Sequence, residues 1–214
     1  MEGSTLTEDN LIALNKNQLV KMVIDQHQLI TKLQEDYKKI INLRLYNLER
    51  NANLSQQYYR RDCIEISGVP MDVLDDKIED EVIEILKDAK VTLNRQSIKK
   101  SDIQAAHRKG KKGKVIVKVL NRKFARTALI NRKNLKDNKR YGEDTKIYIN
   151  DSFIPDFGYF NYLIRHARKD NKIHSFKIKN GVHHVQKEDG GNFVIIGHGQ
   201  DLINIGIEVP DRQN

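Results

Sequence analysis

Residues 107–119 read HRKGKKGKVIVKV, six Lys and Arg side chains running into a stretch of β-branched residues. Val115, Val117 and Val119 share one parity there, Lys114 and Lys118 the other. Successive side chains of an extended chain point to opposite faces, so the stretch reads as a strand with one buried and one basic face. Residues 103–107 form a second extended piece just before it, and Asn121 is placed to cap a helix just after it. That helix buries Phe124, Ala128 and Leu129 and turns Arg122, Lys123, Arg126, Arg132 and Lys133 outward. Further upstream, Ile64, Ile66 and Val69 with Gly68 and Pro70 read as a strand ending in a turn. From Asp75 onward, Ile78, Val82, Ile85, Leu86 and Ala89 fall at helical spacing between acidic residues. Downstream, KIYIN at 146–150 reads as a last strand.

The expected order is βαββαβ, the ferredoxin-like split βαβ arrangement that RNA-recognition domains share. Fold alone does not give function, so the motifs must be tested. IEISGV at 64–69 fits the frame of the shorter ribonucleoprotein motif, and KGKVIVKV at 112–119 fits the longer one in its Lys-Gly start and its Val117. Glu65, Lys114, Ile116 and Val119 stand where that frame expects stacking aromatics. Stacking contributes about 1–3 kcal/mol per base, so on this reading charge replaces it. Tyr58, Tyr59 and Tyr141 are the candidates for a compensating stack.

Charge is distributed unevenly. Residues 101–142 carry 14 Lys+Arg against 2 Asp+Glu, and the other segments are close to neutral, so this block supplies the whole net charge of +9. Like charges this dense repel unless a polyanion relieves them, which points to nucleic acid. The chain is 214 residues long with 38% hydrophobic residues, and no apolar run approaches the roughly 18 residues a bilayer span needs, so membrane insertion is not expected. The opening MEGSTLTEDN lacks the basic start and apolar middle of a secretory signal. A single cysteine, Cys63, excludes an internal disulfide and points to a reducing compartment, cytoplasm and/or nucleus.

The N-terminal part is of another kind. No Pro or Gly occurs from Leu19 to Leu54, and Leu19, Val23, Ile30, Leu33, Tyr37 and Ile40 lie on one heptad seam that Gln26 interrupts. After Ile40 the seam shifts by one position to Ile41, Leu45 and Leu48, as a stutter shifts it. A helix of this pattern cannot hide its stripe alone, so self-association through a coiled coil is expected, as dimer or trimer. Beyond Asp151, Pro155 opens a helix with Phe160, Leu163, Ile164 and Ala167 on one face and Arg165, Arg168 and Lys169 on the other. Asn180-Gly181 then joins SFKIK to VHHVQ as a hairpin, NFVII follows, and residues 201–205 form a short closing helix. Lys172, Lys177 and Lys179 keep this unit's helix and hairpin basic. The fold class expected is α+β. Its parts are a flexible N-terminus at 1–18, a coiled-coil helix at 19–58, an RNA-recognition-like domain at 59–150, a small α+β domain at 151–207 and a loose tail at 208–214.

Together the heptad helix, RRDCIEISGVP at 60–70, DIQAAHRKG at 102–110 with KVIVKV, IYINDS at 147–152 and a helix ending LIRHARK resemble one family. It is that of the baculovirus few-polyhedra protein and the related first open-reading-frame proteins of LINE-type retrotransposons, over about residues 20–205. Resemblance to the retrotransposon members implies a coiled-coil trimer, a non-classical RNA-recognition domain and a C-terminal domain that bind single-stranded nucleic acid and act as a chaperone. Resemblance to the viral members, which the compact length favours, implies a late, nonenzymatic role in virion occlusion and intranuclear trafficking. The binding residues it implies are Arg60, Arg61, His107, Arg108, Arg126, and Arg165 or Arg168. The absent aromatics depart from the family pattern.

Other chemistry is weaker. His183 and His184, adjacent on a strand, point to opposite faces, so with His174 and His198 they read as surface histidines, and no metal is expected. GKKGK and GHG match neither a Walker loop nor a dinucleotide fingerprint. Cys63, within a strand and without an evident base, reads as a core thiol. Asp75, Asp76, Glu79, Asp80, Glu81 and Glu84 read as a solvated helix face. No enzyme activity and no cofactor are expected. The leading expectation is an oligomeric binder of single-stranded RNA or DNA whose phosphates meet Arg60, Arg61, Arg108, Lys109, Lys111, Lys112, Lys114, Lys118 and Arg126. Arg122, Lys123, Arg132, Lys133, Arg165, Arg168 and Lys172 extend that surface. The alternative is a protein-protein adaptor that works through the coiled coil without nucleic acid.

Overall fold

The computed structural model describes residues 16–110 and 114–210. The protein is α+β, with a long N-terminal helix followed by antiparallel sheets. Helix α1, Lys16–Tyr58, is uninterrupted for 43 residues, about 65 Å at 1.5 Å per residue. It includes Lys16, Asn17 and Gln18, so the expected flexible N-terminus at 1–18 does not extend over them. Up to Leu48 the helix belongs to one compact unit, and from Glu49 the chain belongs to a second. In the first unit the seam residues Val23, Ile30, Leu33, Tyr37, Ile40, Leu45 and Leu48 are all exposed, while Leu19 is half-buried.

In the second unit the last turns of α1 are structural. Gln57 is fully buried; its Nε2 donates to the Ser152 carbonyl at 3.0 Å and its Oε1 accepts from the Ile154 N–H at 3.0 Å. A short turn then leads into β1, Cys63–Ser67. A one-turn 3₁₀ segment, Asp75–Lys77, runs into α2, Ile78–Asp88, which buries Ile78, Val82, Ile83, Ile85 and Leu86. A two-residue-per-strand hairpin follows, β2 at Thr92–Leu93 and β3 at Gln96–Ser97. Its turn places Asn94 and Arg95 at φ of +53° and +65°. The sequence reading left it out, since strands this short show no alternation.

Strands β4, Ile103–Lys109, and β5, Lys114–Val119, lead to α3, Arg122–Asn131, and then to β6, Tyr148–Asp151. Asn121 caps α3 as expected, its side chain accepting from the Lys123 N–H at 3.0 Å. The last strand starts two residues later than expected; Ile147 is buried but lies outside the ladder. The sheet order is β4-β5-β1-β6, every neighbour antiparallel. Ile64, Ile66, Val115, Val117, Val119 and Ile149 point to one face and pack with α2 and α3 in a single core. Gly68, at the end of β1, has φ +91°, and a Cβ there would lie 2.2 Å from the Lys146 carbonyl oxygen, so only glycine fits.

Helix α4, Pro155–Lys169, starts on the expected proline. It packs on a three-stranded antiparallel sheet of β7, Ser175–Lys179, β8, Val182–Gln186, and β9, Phe193–Ile196. Helix α5 spans Gly199–Asn204, two residues ahead of its expected start, because His198 and Asp201 cap it. The second core holds Phe157, Phe160, Ile164, Val185, Ile196 and Leu202, with Leu54 of α1 against it. No helix among the described residues is long and apolar enough to cross a membrane.

His183 corrects the surface-histidine reading. It is fully buried beside Phe153 and Phe157, ring centroids 4.9 and 5.8 Å away. Burial, then Arg165 and His184, push its pKa down to about 4. The folded value lies below the ordinary 6.5, so acid protonates the unfolded chain first. Stability is therefore complete above about pH 6.5 and falls toward pH 4, by about 3 kcal/mol in all. In urea melts at pH 7.5 and 5, His183→Phe is expected to remove most of the difference between the two wild-type curves.

Candidate nucleic-acid interface

Within the second unit a cleft of about 820 Å³ gathers cations from five parts of the chain. Arg60 and Arg61 enter from the turn before β1, Arg122, Lys123 and Arg126 from α3, and Arg132 from the segment after it. Arg165 projects from α4 and Lys179 from β7, while Lys177, at the cleft's edge, turns its ammonium over the Phe193 ring at 3.7 Å. The hairpin tip is held close: Gly181 has φ +75°, and a Cβ on it would come within 2.5 Å of Gln57 Nε2. The same Gln57 fixes residues 152–154, onto which Arg60 folds, donating to the Phe153 carbonyl at 3.2 Å and the Ser152 hydroxyl at 3.4 Å. The Arg61 guanidinium lies 3.7 Å over the Tyr58 ring, a contact that orients the charge without neutralising it.

Electrostatically the cleft is one-sided. Among the described residues Asp151 is its single lining carboxylate, and burial pushes its pKa up against the opposing pull of Arg132. Helix α3 has no acidic residue in its first turn. Arg122 and Lys123 sit instead at the positive end of the helix dipole, an arrangement that costs stability until an anion arrives. Among the described residues no ion pair engages Arg122, Lys123 or Arg126. Cys63 lines the same cleft, half-buried on the open face of the sheet rather than in the core. Burial, then Asp62, push its thiol up to about 11, so it is a neutral wall group.

A second cleft of about 530 Å³ continues from the first, sharing Arg132, Asp151, Arg165 and Ile178, and runs over the open face of the sheet. The ladders place Asn150, Glu65, Ile116 and His107 in one row across that face. Glu65 holds Lys114 at 2.8 Å and Lys109 at 3.8 Å, so two of the sequence-predicted cations already have a partner. Lys118 stands opposite Cys63 on the same face. Val119 is buried and belongs to the other face, outside the stacking set in which the sequence frame placed it. Tyr141 is likewise committed, its hydroxyl donating to Glu81 at 2.6 Å. The sequence reading overlooked Tyr148, half-exposed opposite Ser67.

Seven of the sequence-predicted residues thus meet in the first cleft: Arg60, Arg61, Arg122, Lys123, Arg126, Arg132 and Arg165. Lys133, Arg168 and Lys172 are exposed and line neither cleft. Lys111 and Lys112 lie outside the described residues. Lys177 and Lys179 were legible only as a basic hairpin, since nothing local says which way the hairpin leans. Arg108 is elsewhere. It sits opposite Val115, on the helix-covered side of the sheet, and its guanidinium donates to the carbonyls of Pro70 at 2.6 Å and Val73 at 2.9 Å. Its side chain is only 10% exposed. Arg108→Ala is expected to lower unfolding free energy by about 2–4 kcal/mol, seen by thermal melt, with no change in the strand affinity of the folded protein.

The chain matches no protein-family model and no curated protein. What remains is a class set by architecture and site: an α+β protein with a long N-terminal helix and a polycationic cleft.

Proposed function

We propose that this is a nonenzymatic, self-associating binder of single-stranded nucleic acid. The observation that carries the reading is the convergence of eight Lys and Arg side chains on one cleft lined, among the described residues, by a single carboxylate. The strand order β4-β5-β1-β6, with α2 and α3 on one face, supports a ferredoxin-like, RNA-recognition-like domain. The exposed seam along α1 supports a coiled coil of two or three copies. Several clefts gathered by self-association grip a strand with avidity, which suits binding with little sequence preference. This reading agrees with the resemblance to the few-polyhedra and LINE first open-reading-frame family and with the viral occlusion or trafficking role it implies.

The test is fluorescence anisotropy of a labelled single strand across a salt series. If all eight cations meet phosphates, log affinity falls with log salt at a slope of about −6. No binding at low salt removes the reading and leaves the protein-protein adaptor.

A further inference from the structure

A surface that only neutralises phosphates needs no apolar lining, and this cleft has one. Leu129, Ile130, Phe176 and Ile178 line it beside the cations, and Ile130 is 59% exposed. Among the described residues Phe176 is its only aromatic ring. It lies on β7, an edge strand of its sheet, half-buried against the second core with part of the ring open to the cleft. The Arg165 guanidinium stands over this ring at 5.9 Å from the centroid. That gap is too wide for direct stacking contact. Two van der Waals contacts of about 3.5 Å, one on each side of a flat ring, require about 7 Å, so a small rotation of the exposed Arg165 admits one planar ring. Arg165 Nε is tied only loosely, 3.4 Å from Asn161 Oδ1.

We propose that Phe176 and Arg165 form a slot for one nucleobase, stacked on the phenyl ring and covered by the guanidinium, while the neighbouring phosphates meet the α3 cations. This rests on the nucleic-acid reading above and adds to it a base-contacting element that the open face of the sheet lacks at Glu65, Lys114 and Ile116. A π-face is common to every base, so the slot confers preference for bases over bare backbone without sequence preference. The cation above the ring strengthens the contact.

The experiment compares two labelled strands of equal length and phosphate count on the full chain, one of deoxythymidine and one of abasic residues. The readout is the ratio of their affinities, which cancels the phosphate contribution. Wild type is expected to favour the base-bearing strand by about 5- to 150-fold. Phe176→Leu, which keeps apolar volume against the core, is expected to bring the ratio close to one. Phe176→Tyr is expected to retain it, as is Tyr162→Leu, an exposed aromatic on α4 outside both clefts. A wild-type ratio near one overturns the slot while leaving phosphate binding intact, and so does a full ratio in Phe176→Leu. Failure to bind either strand overturns the slot and the nucleic-acid reading together.

Discussion

With Arg122, Lys123 and Arg126 all changed to Ala, the salt slope of strand binding becomes shallower by about 2, because each phosphate contact on a single strand contributes about 0.7. Extrapolated from near 1 M, where the counterion contribution vanishes, that slope change corresponds to a roughly 50-fold weaker affinity at about 0.15 M salt. The fold should not suffer. All three side chains are exposed, and the buried face of α3 is carried by Phe124, Ala125 and Ala128. Removing positive charge from a helix N-terminus also relieves an unfavourable dipole interaction, so the melting temperature should hold or rise slightly. The informative comparison is a second triple variant, Lys133→Ala, Arg168→Ala and Lys172→Ala, which removes the same charge from outside the clefts. If the two variants flatten the slope equally, the protein binds through diffuse charge and the cleft has no special part.

That comparison marks where the sequence could and could not be read. The alternation of KVIVKV gave β5 with the correct buried face, and Asn121 gave the start of α3, because period and capping are local properties. The first cleft required more. Arg60, Arg126, Arg165 and Lys179 are far apart in the chain and meet only because Gln57 ties residues 152–154 to the end of α1 and the hairpin tip packs on it. A glutamine near the end of a polar helix carries no signal that it will be buried. Arg108 shows the reverse error. It lies in the densest basic stretch, but the β4–β5 register sets it opposite Val115, on the covered face, where the Pro70 and Val73 carbonyls take its guanidinium. Composition weighs every arginine alike, and the face Arg108 takes is set by the hairpin pairing and by the register shift between Ile103 and Ala105, neither of which residue parity shows. His183 was misread for a related reason. Adjacent histidines on a strand must face opposite ways, so one of them was bound to meet the core.

Two truncations should separate the roles of α1, with the largest effects of any change to the chain. Deleting residues 1–48 removes the exposed seam but leaves Glu49–Tyr58, and the remaining unit is expected to fold as a monomer. Its affinity for a long strand should drop by about 10²- to 10⁴-fold as avidity is lost, while its affinity for a strand short enough for one cleft stays near the full-length value per site. Deleting residues 1–58 instead cuts where the heptad helix ends. It removes Arg50, whose Nε lies 3.0 Å from the buried Asp201 carboxylate, and Asn53, which donates to the Gly197 carbonyl at 3.2 Å. It also strips Leu54 from the second core and leaves the Ser152 carbonyl and Ile154 N–H without Gln57. Each buried polar group left unpaired costs about 1–3 kcal/mol, stripping Leu54 costs about 2–5 kcal/mol more, and Asp201 loses its guanidinium while keeping the Gly197 and His198 N–H donors. Together these rival the 5–15 kcal/mol total stability of an ordinary domain, so the shorter piece should be unfolded or aggregated by circular dichroism and size-exclusion chromatography. A folded 59–214 fragment would show that the end of α1 is an accessory to the second unit. A 49–214 fragment that still self-associates would place oligomerisation outside the α1 seam.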